Sequence, residues 1–516
     1  DGIPLAIELA AARVKLLTPE QIAARLDDRF KLLTGGVRTA LPRQQTLRAL
    51  IDWSYQLLNE TEQRALRGLS VFSGGWTLEA AESVVGADEA LDGLSGLVNK
   101  SLVIVEEQEG KSRYRFLETI RQYAMEKLVE SGEAVATRDR HLDFMFEVTK
   151  YSPLRMFGTE DSELLDQIES EHDNLRAALE WATSNNPDKA LKLAYGMGGF
   201  WVVRDYNNEA RTWCNAILEK IETMPGYDEA RASLYSLLGW LSVTLGEHKK
   251  GLVASQQAIA LGTKSNDFTT VARAYSILAL TSIFLGDFPN AFTAAEKAVS
   301  IAREHRLSAE LSLALSTRAQ LEFVGNRDLP SAKASIYEAA DLAHKAGFKW
   351  ASSFIDIGMG HIAARMGDLE TSRAGFMRSA ETAKLLGNKR VAYSSQSDFA
   401  HILRQHGELD EPLATYRDLL PKWKDLGHRS AVAHELECIA FILVRKEEPE
   451  RAVHLLGAAN ALREAIDSVM TQNEQVEYEK ELSVLRELLG EVEFNKQWDK
   501  GGKMSIDEAI ELALEN

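Results

Sequence analysis

Gly-Asp and Gly-Glu steps return at a fixed interval through the middle of the chain, and no other feature restricts its fold as strongly. Leu245-Gly246-Glu247, Leu285-Gly286-Asp287, Met366-Gly367-Asp368 and His406-Gly407-Glu408 stand 40, 81 and 40 residues apart. Asn326-Arg327-Asp328 divides the longer interval, Lys446-Glu447-Glu448 continues the series, and a degenerate copy turns at Asp205-Tyr206. Small and large apolar residues hold fixed offsets around each step: Tyr275, Leu278 and Ala279 before it, Ala291, Ala295 and Ala298 after it. Tyr235, Leu238, Gly239 and Ala258 repeat those offsets in one neighbouring unit, and Ile439, Ala440, Ala452, Leu456 and Ala459 in another. The spacing predicts two antiparallel helices per unit. A helix pair cannot bury its apolar face alone, so the units must stack into a quasi-one-dimensional array.

Composition agrees with a mostly α chain. Eleven prolines in 516 residues lie well under the usual ~5%, and leucine and alanine dominate over β-branched runs. The net charge of -18 opposes sequence-independent nucleic-acid binding by the chain as a whole. Cys214 and Cys438 match no metal-ligand spacing and read as small buried hydrophobes in a reducing, cytoplasmic protein. No apolar run reaches the ~18 residues that span a bilayer. The abrupt start at Asp1-Gly2-Ile3-Pro4 reads as the C-terminal part of a longer protein.

The repeat residues resemble the tetratricopeptide pattern, in which small side chains let paired helices approach and large ones fill the gap between units. The period of 40 exceeds the usual ~34, so longer helices are expected. About seven such units should occupy residues 191–470 as a right-handed α-solenoid, closed by capping helices over 471–516. Pro412 should start or bend the second helix of its unit, and Ser505-Ile506-Asp507-Glu508 reads as a capping box.

The first 150 residues do not fit the repeat. Thr18-Pro19 reads as a helix start, and helical periodicity runs through Leu47–Leu58, restarts after the Asn59 cap, and returns at Thr77–Val85 and Leu91–Val98. Leu102–Val105 and Tyr114–Leu117 are β-type runs flanking the polar stretch Glu106–Arg113, and Thr119–Leu128 returns to helix. Helices followed by a hairpin give a small winged-helix domain. The expected division is a nucleotide-module remnant at 1–40, a winged helix at 41–130, a helical linker at 131–190, and then the solenoid.

Gly2-Ile3-Pro4-Leu5-Ala6-Ile7 resembles the GLPLA-type motif of the STAND signalling ATPases, the class of NB-ARC proteins and the bacterial AfsR-like and MalT-like regulators. Arg43-Gln44-Gln45-Thr46-Leu47-Arg48, Trp53-Ser54-Tyr55, Leu69-Ser70-Val71-Phe72, Phe116-Leu117-Glu118-Thr119-Ile120-Arg121 and His172-Asp173-Asn174-Leu175-Arg176-Ala177-Ala178-Leu179 are similar to its bacterial branch. The resemblance implies a switch: an upstream core holds ADP or ATP, the winged helix packs on it, and the solenoid senses a protein, a peptide or a small inducer. Pro4 aligns with the proline that lies near the adenine, and is the cofactor-proximal position carried over. Leu117 stands where the family has a phosphate-approaching histidine, so that contact is missing. No G-x-x-x-x-G-K-[ST] occurs, so no ATPase core is assigned to this chain, which on its own should neither hydrolyse ATP nor bind it tightly.

Other signals are weaker. Gly110-Lys111-Ser112 lacks the first glycine of a phosphate loop, because position 105 is Val105. Residues 40–130 hold ten Lys and Arg against fourteen Asp and Glu, and Leu91–Val98 carries no basic residue. The winged helix therefore reads as a protein-packing module without direct nucleic-acid contact. No histidine pair has metal-ligand spacing, and no catalytic motif is present. Trp201, Trp213 and Trp240 read chiefly as fillers between units. Counting back from the turns places Trp240, His361, Arg365, His401, Arg404 and Arg445 on the concave face, as a basic groove for an acidic peptide, a free C-terminus or an anionic metabolite. Pairing with acidic residues of the second helices is the plainer reading of those arginines. A stand-alone tetratricopeptide scaffold is the alternative function, and a hydrolase or transferase a third for which no residues can be named.

Overall fold

In the computed structural model the glycines of the repeating step take left-handed backbone: Gly246, Gly286, Gly367 and Gly407 have φ of 73°, 75°, 81° and 91°. A side chain disfavours that conformation by about 1–2 kcal/mol, and glycine escapes the penalty. At Leu285-Gly286-Asp287 the Asp287 amide donates to the Ser282 carbonyl at 2.9 Å and the Gly286 amide to Ile283 at 3.0 Å, which ends one helix. The Asp287 carboxylate then accepts from the Asn290 amide at 3.3 Å and starts the next. Asp368 repeats the device on the Thr371 amide at 3.0 Å.

The structure describes residue 21 and residues 47–515, except 109, 150–161, 326, 327, 467, 469 and 471. Pro4, the Thr18-Pro19 helix start and all of the expected 1–40 segment but Gln21 lie outside the described residues. Residues 47–149, 163–200 and 209–227 form one unit, and 201–208 with 228–515 a second.

In the first unit, α1 (Leu47–Gln56), α2 (Glu60–Leu69), α3 (Leu78–Val85) and α4 (Ala87–Asn99) precede β1 (Ile104–Gln108) and β2 (Lys111–Arg115). Then come α5 (Glu118–Glu130), α6 (Ala134–Thr149), α7 (Ser162–Ser170), α8 (His172–Asn185), α9 (Pro187–Val203) and α10 (Asn207–Ile221). Asn59 caps α2 as expected. Its side chain accepts from the Glu62 amide at 2.9 Å, and the Glu62 carboxylate accepts from the Asn59 amide at 2.8 Å. The hairpin forms, with Ile104 opposite Arg115 and Gln108 opposite Lys111. It corrects the expected boundaries: the polar stretch is itself strand, because a two-stranded ribbon covered on one face accommodates polar residues on the other. Lys111 and Ser112 therefore lie in β2, not in the turn. Trp76 exchanges two 2.8 Å backbone hydrogen bonds with Tyr114 and packs between Phe72 and Phe116, with ring centroids 5.6 and 4.8 Å away.

The second unit holds α11 (Asp228–Thr244), α12 (His248–Ser265), α13 (Phe268–Phe284), α14 (Phe288–Glu304), α15 (Ser308–Val324), α16 (Leu329–Ala346), α17 (Lys349–Arg365) and α18 (Leu369–Leu385). It continues through α19 (Lys389–Gln405), α20 (Asp410–Asp425), α21 (Arg429–Arg445), α22 (Pro449–Ala465), α23 (Gln472–Gly501) and α24 (Ile506–Leu514). Helices of 17 residues such as α13 and α14, each followed by a three-residue turn, account for the 40-residue period. Ala279, Ala291 and Ala295 are fully buried where α13 meets α14, with Tyr275 and Leu278 packed beside them. Approach is close where α17 meets α18: a Cβ on Gly375 would stand 2.7 Å from the Asp356 carbonyl. Pro412 lies in the first turn of α20, where its missing amide hydrogen goes unneeded. α23 bends at Gly490, with φ of 71°, and Leu485 and Phe494 join a core with Ile439 and Leu456. Ser505 and Glu508 form the expected capping box of α24.

Candidate functional site

The anticipated solenoid residues divide into three groups. Trp240 on α11 is buried, its ring edge-on to Trp350 at 5.2 Å and to Phe354 at 6.4 Å, so its surface is used in aromatic packing. His361 and Arg365 lie one turn apart on α17. The His361 ring meets Phe376 edge-on at 5.0 Å, and the Arg365 guanidinium stands 5.3 Å over Phe323. His401, Arg404 and Arg445 alone come together, in a cleft of 620 Å³ that Phe441 and α23 also line.

Carboxylates of α23 already hold both arginines of that cleft. Arg404 forks onto Glu477 at 2.8 and 2.9 Å, and Arg445 onto Glu481, with one bond of 2.7 Å. Burial disfavours the Arg404 cation, but the Glu477 carboxylate outweighs it and its pKa is pushed up. The partners thus lie not on the second helices of the repeats but on α23, the helix that follows the last of them. Sequence reading missed Asp398, on α19 one turn before His401. His361 Nε2 lies 3.9 Å from its carboxylate, and His401 and His434 act on it electrostatically. Loss of hydration around its carboxyl pushes the Asp398 pKa up, against the pull of those three imidazoles. The spacing to His401 was the available signal. Cys214 and Cys438 are buried, and burial pushes the Cys214 thiol up to about 12. Among the described residues no group of three His, Cys, Asp or Glu side chains is placed to hold a metal ion, and no helix is long and apolar enough to cross a membrane.

A second constellation lies in the first unit, where the segment from His172 to Leu179 meets the winged helix. Asn174 is fully buried at the start of α8. Its Oδ1 accepts from the amides of Ser73 at 2.7 Å and Gly74 at 3.3 Å, and its Nδ2 donates to the carbonyl of Gly75 at 2.8 Å and to Glu171 at 2.6 Å. Arg113 of β2 closes the clamp from the other side. It donates to Glu171 at 2.6 Å and to the carbonyls of Ser170, Gly74 and Gly75 at 2.9, 3.1 and 3.3 Å. Gly75 has φ of 84°, and a Cβ there would meet the Tyr114 carbonyl at 2.7 Å, so the loop can lie this close only without a side chain. His172 and Arg176, on the same helix, hold Glu209 of α10 at 2.9 and 3.0 Å. Burial opposes the Glu209 charge, and these two partners nevertheless bring its pKa down to about 2. Leu175, Ala178 and Leu179 fill the core beneath. One eight-residue segment thus ties the winged helix to the first helix pair. On the winged helix itself, α4 carries Asp88, Glu89 and Asp92 and no Lys or Arg.

A family profile described as "Winged helix-turn-helix domain" matches residues 58–129, and one described as "Anaphase-promoting complex subunit 5" matches 227–282, 274–323 and 451–516. A Mycobacterium tuberculosis protein that carries the name of an HTH-type transcriptional regulator is 41% identical over 286 residues, covering 53% of this chain and 32% of that relative. An uncharacterized protein of the same species is 46% identical over 147 residues, covering 27% of this chain and 37% of its own. The chain thus spans about a third of the length of the curated relatives it matches. Among solved structures, a Pyrococcus horikoshii STAND protein with a tetratricopeptide repeat sensor aligns over 93% of this chain and 74% of its own, with 17% identity and a TM-score of 0.42. A Rap protein complexed with competence and sporulation factor aligns over 63% and 96%, with 14% identity and a TM-score of 0.42. Both scores fall below one half, and neither likeness bears on function. The chain thus carries a winged helix-turn-helix domain ahead of tetratricopeptide-like helix pairs, and over about half of its length it is similar to a protein named as an HTH-type transcriptional regulator.

Proposed function

We propose that this chain is the sensor and coupling part of a STAND-type signalling ATPase that regulates transcription in the cytoplasm. The helix pairs take a protein or peptide partner, or a small anionic inducer, on the face of His361, Arg365, Asp398 and His401. Arg404 and Arg445, with Glu477 and Glu481, form the C-terminal border of that face, and Trp240 stiffens it further upstream. The winged helix transmits the bound state to an upstream core that carries ATP or ADP, with Pro4 beside the adenine. The clamp of Asn174 and Arg113 on Ser73-Gly74-Gly75 carries this reading. A scaffold that only joins proteins has no need to fix a winged helix to the helix leading into its repeats through a buried asparagine that satisfies three backbone groups. The acidic α4 favours protein packing over base reading.

The test is transcription in the native host with the complete gene, comparing wild type with Asn174→Ala at equal protein level. The expected result is a changed set of regulated transcripts in the variant. Identical transcript profiles would overturn the coupling role.

A further inference from the structure

A cleft of 490 Å³ opens beside the clamp, within the first unit. Arg121 and Met125 of α5 form one wall, Arg138 and His141 of α6 the floor, and Glu180 and Trp181 of α8 the other wall. His141 is only 3% exposed, its ring edge-on to Phe72 at 4.9 Å, and its Nε2 has no hydrogen-bond partner among the described residues. Buried polar atoms are rarely left that way in native proteins. Arg138 is anomalous as well. Its guanidinium stands 5.0 Å over the Trp181 ring and 3.6 Å from the Met125 sulfur, and no carboxylate among the described residues pairs with it. Arg113, Arg176, Arg404 and Arg445 all have carboxylate partners. Arg121 forks onto Glu118 at 2.7 and 2.8 Å through Nε and Nη2, which leaves Nη1 with a single 3.5 Å contact to the Ser70 carbonyl.

We infer that this cleft binds a small carboxylate with a flat apolar body. The carboxylate sits on Arg138 and Arg121 Nη1 and accepts a hydrogen bond from His141 Nε2, while the body lies against Trp181 and Met125. Charge-assisted bonds from a planar guanidinium suit a carboxylate, and the indole supplies an apolar wall. Glu180, exposed on the same cleft, argues against a dianionic phosphate, which it would repel. Burial pushes the His141 pKa down to about 3, so the imidazole is neutral and can present one N–H without bringing a competing charge. Because the two walls are α5 of the winged helix and α8, the helix that leads into the first helix pair, an occupant bridges the winged helix and the helix that Asn174 belongs to.

The test titrates benzoate, acetate and inorganic phosphate into the whole chain at matched ionic strength, by calorimetry and saturation-transfer NMR. Benzoate should bind saturably at one site, with acetate at least about tenfold weaker for lack of an apolar body. Arg138→Gln should lose about tenfold or more in benzoate affinity with an unchanged circular dichroism spectrum, and Arg138→Lys should fall between. Absence of saturable benzoate binding, equal binding in Arg138→Gln, or phosphate as strong as benzoate would each overturn the assignment.

Discussion

The side-chain oxygen of Asn174 accepts the Ser73 amide at 2.7 Å, across 101 residues of sequence. The same side chain bonds to Gly74 and Gly75, so one amide group serves three backbone groups of the loop. Such a contact fixes position and orientation together. It ties the start of α8 to the loop that follows α2 of the winged helix.

The buried histidine beside that contact sets a pH dependence. The His141 pKa falls from 6.5 to about 3 on folding, through burial. Above 6.5 the imidazole is neutral in both states. Below it the unfolded chain takes up a proton that the native chain refuses, so stability drops as pH falls from 6.5 toward 3, by about 1 kcal/mol per pH unit. Urea midpoints of the first unit at pH 7.5 and 5.5 should show this loss, and His141→Leu should flatten it. Equal slopes in both proteins would contradict the burial of a neutral imidazole.

Glu435 has the opposite sign. Burial pushes its carboxyl up to about 7 against the pull of His434, Ser397 and Trp423, whose indole nitrogen donates to it at 3.0 Å. The proton is held below pH 7, and the stability that goes with it is lost as pH rises through that value. Glu435→Gln keeps an acceptor for Trp423 without a charge. It should match wild type near pH 5 and exceed it by about 1–2 kcal/mol at pH 8.5 in thermal unfolding.

Backbone strain marks a further site. Arg306 occupies the turn after α14 with φ of 55°, where the corresponding turns after α16 and α18 have Gly347 and Gly387. Arg306→Gly should stabilise the second unit by about 0.5–1 kcal/mol, the relief of the left-handed conformation outweighing the added freedom of the unfolded chain. Gly286→Ala should do the reverse. Differential scanning calorimetry distinguishes the two directions.

The helix pairs were legible because a Gly-Asp step is a local device: the glycine φ, the amide of the aspartate and its carboxylate all act within a few residues. The glycines at 347, 387 and 427, which end the second helices in the same way, escaped notice because no acidic residue follows them. The hairpin was legible in kind and not in extent, since Glu106, Glu107, Ser112 and Arg113 read as loop by polarity and pair as strand by register. Arg404 and Arg445 were visible, but their partners Glu477 and Glu481 lie on α23, outside the repeat register that located the arginines. Asn174 belonged to a segment singled out by resemblance. Its loop partner could not be found from spacing, because that contact depends on how α8 packs against β2 and the turn after α2.

Hydrogen–deuterium exchange on the whole chain with Asn174→Ala tests the central claim most directly. The substitution leaves two amides and a carbonyl of Ser73-Gly74-Gly75 without their partner and should cost about 2–3 kcal/mol within the first unit. Protection should then fall together in α2, α5 and α8 while α13 to α18 keep theirs, which is the signature of a single coupled body. If exchange rises only at residues 73–75 and 174, and α2, α5 and α8 remain as protected as in wild type, the clamp holds a loop and transmits nothing.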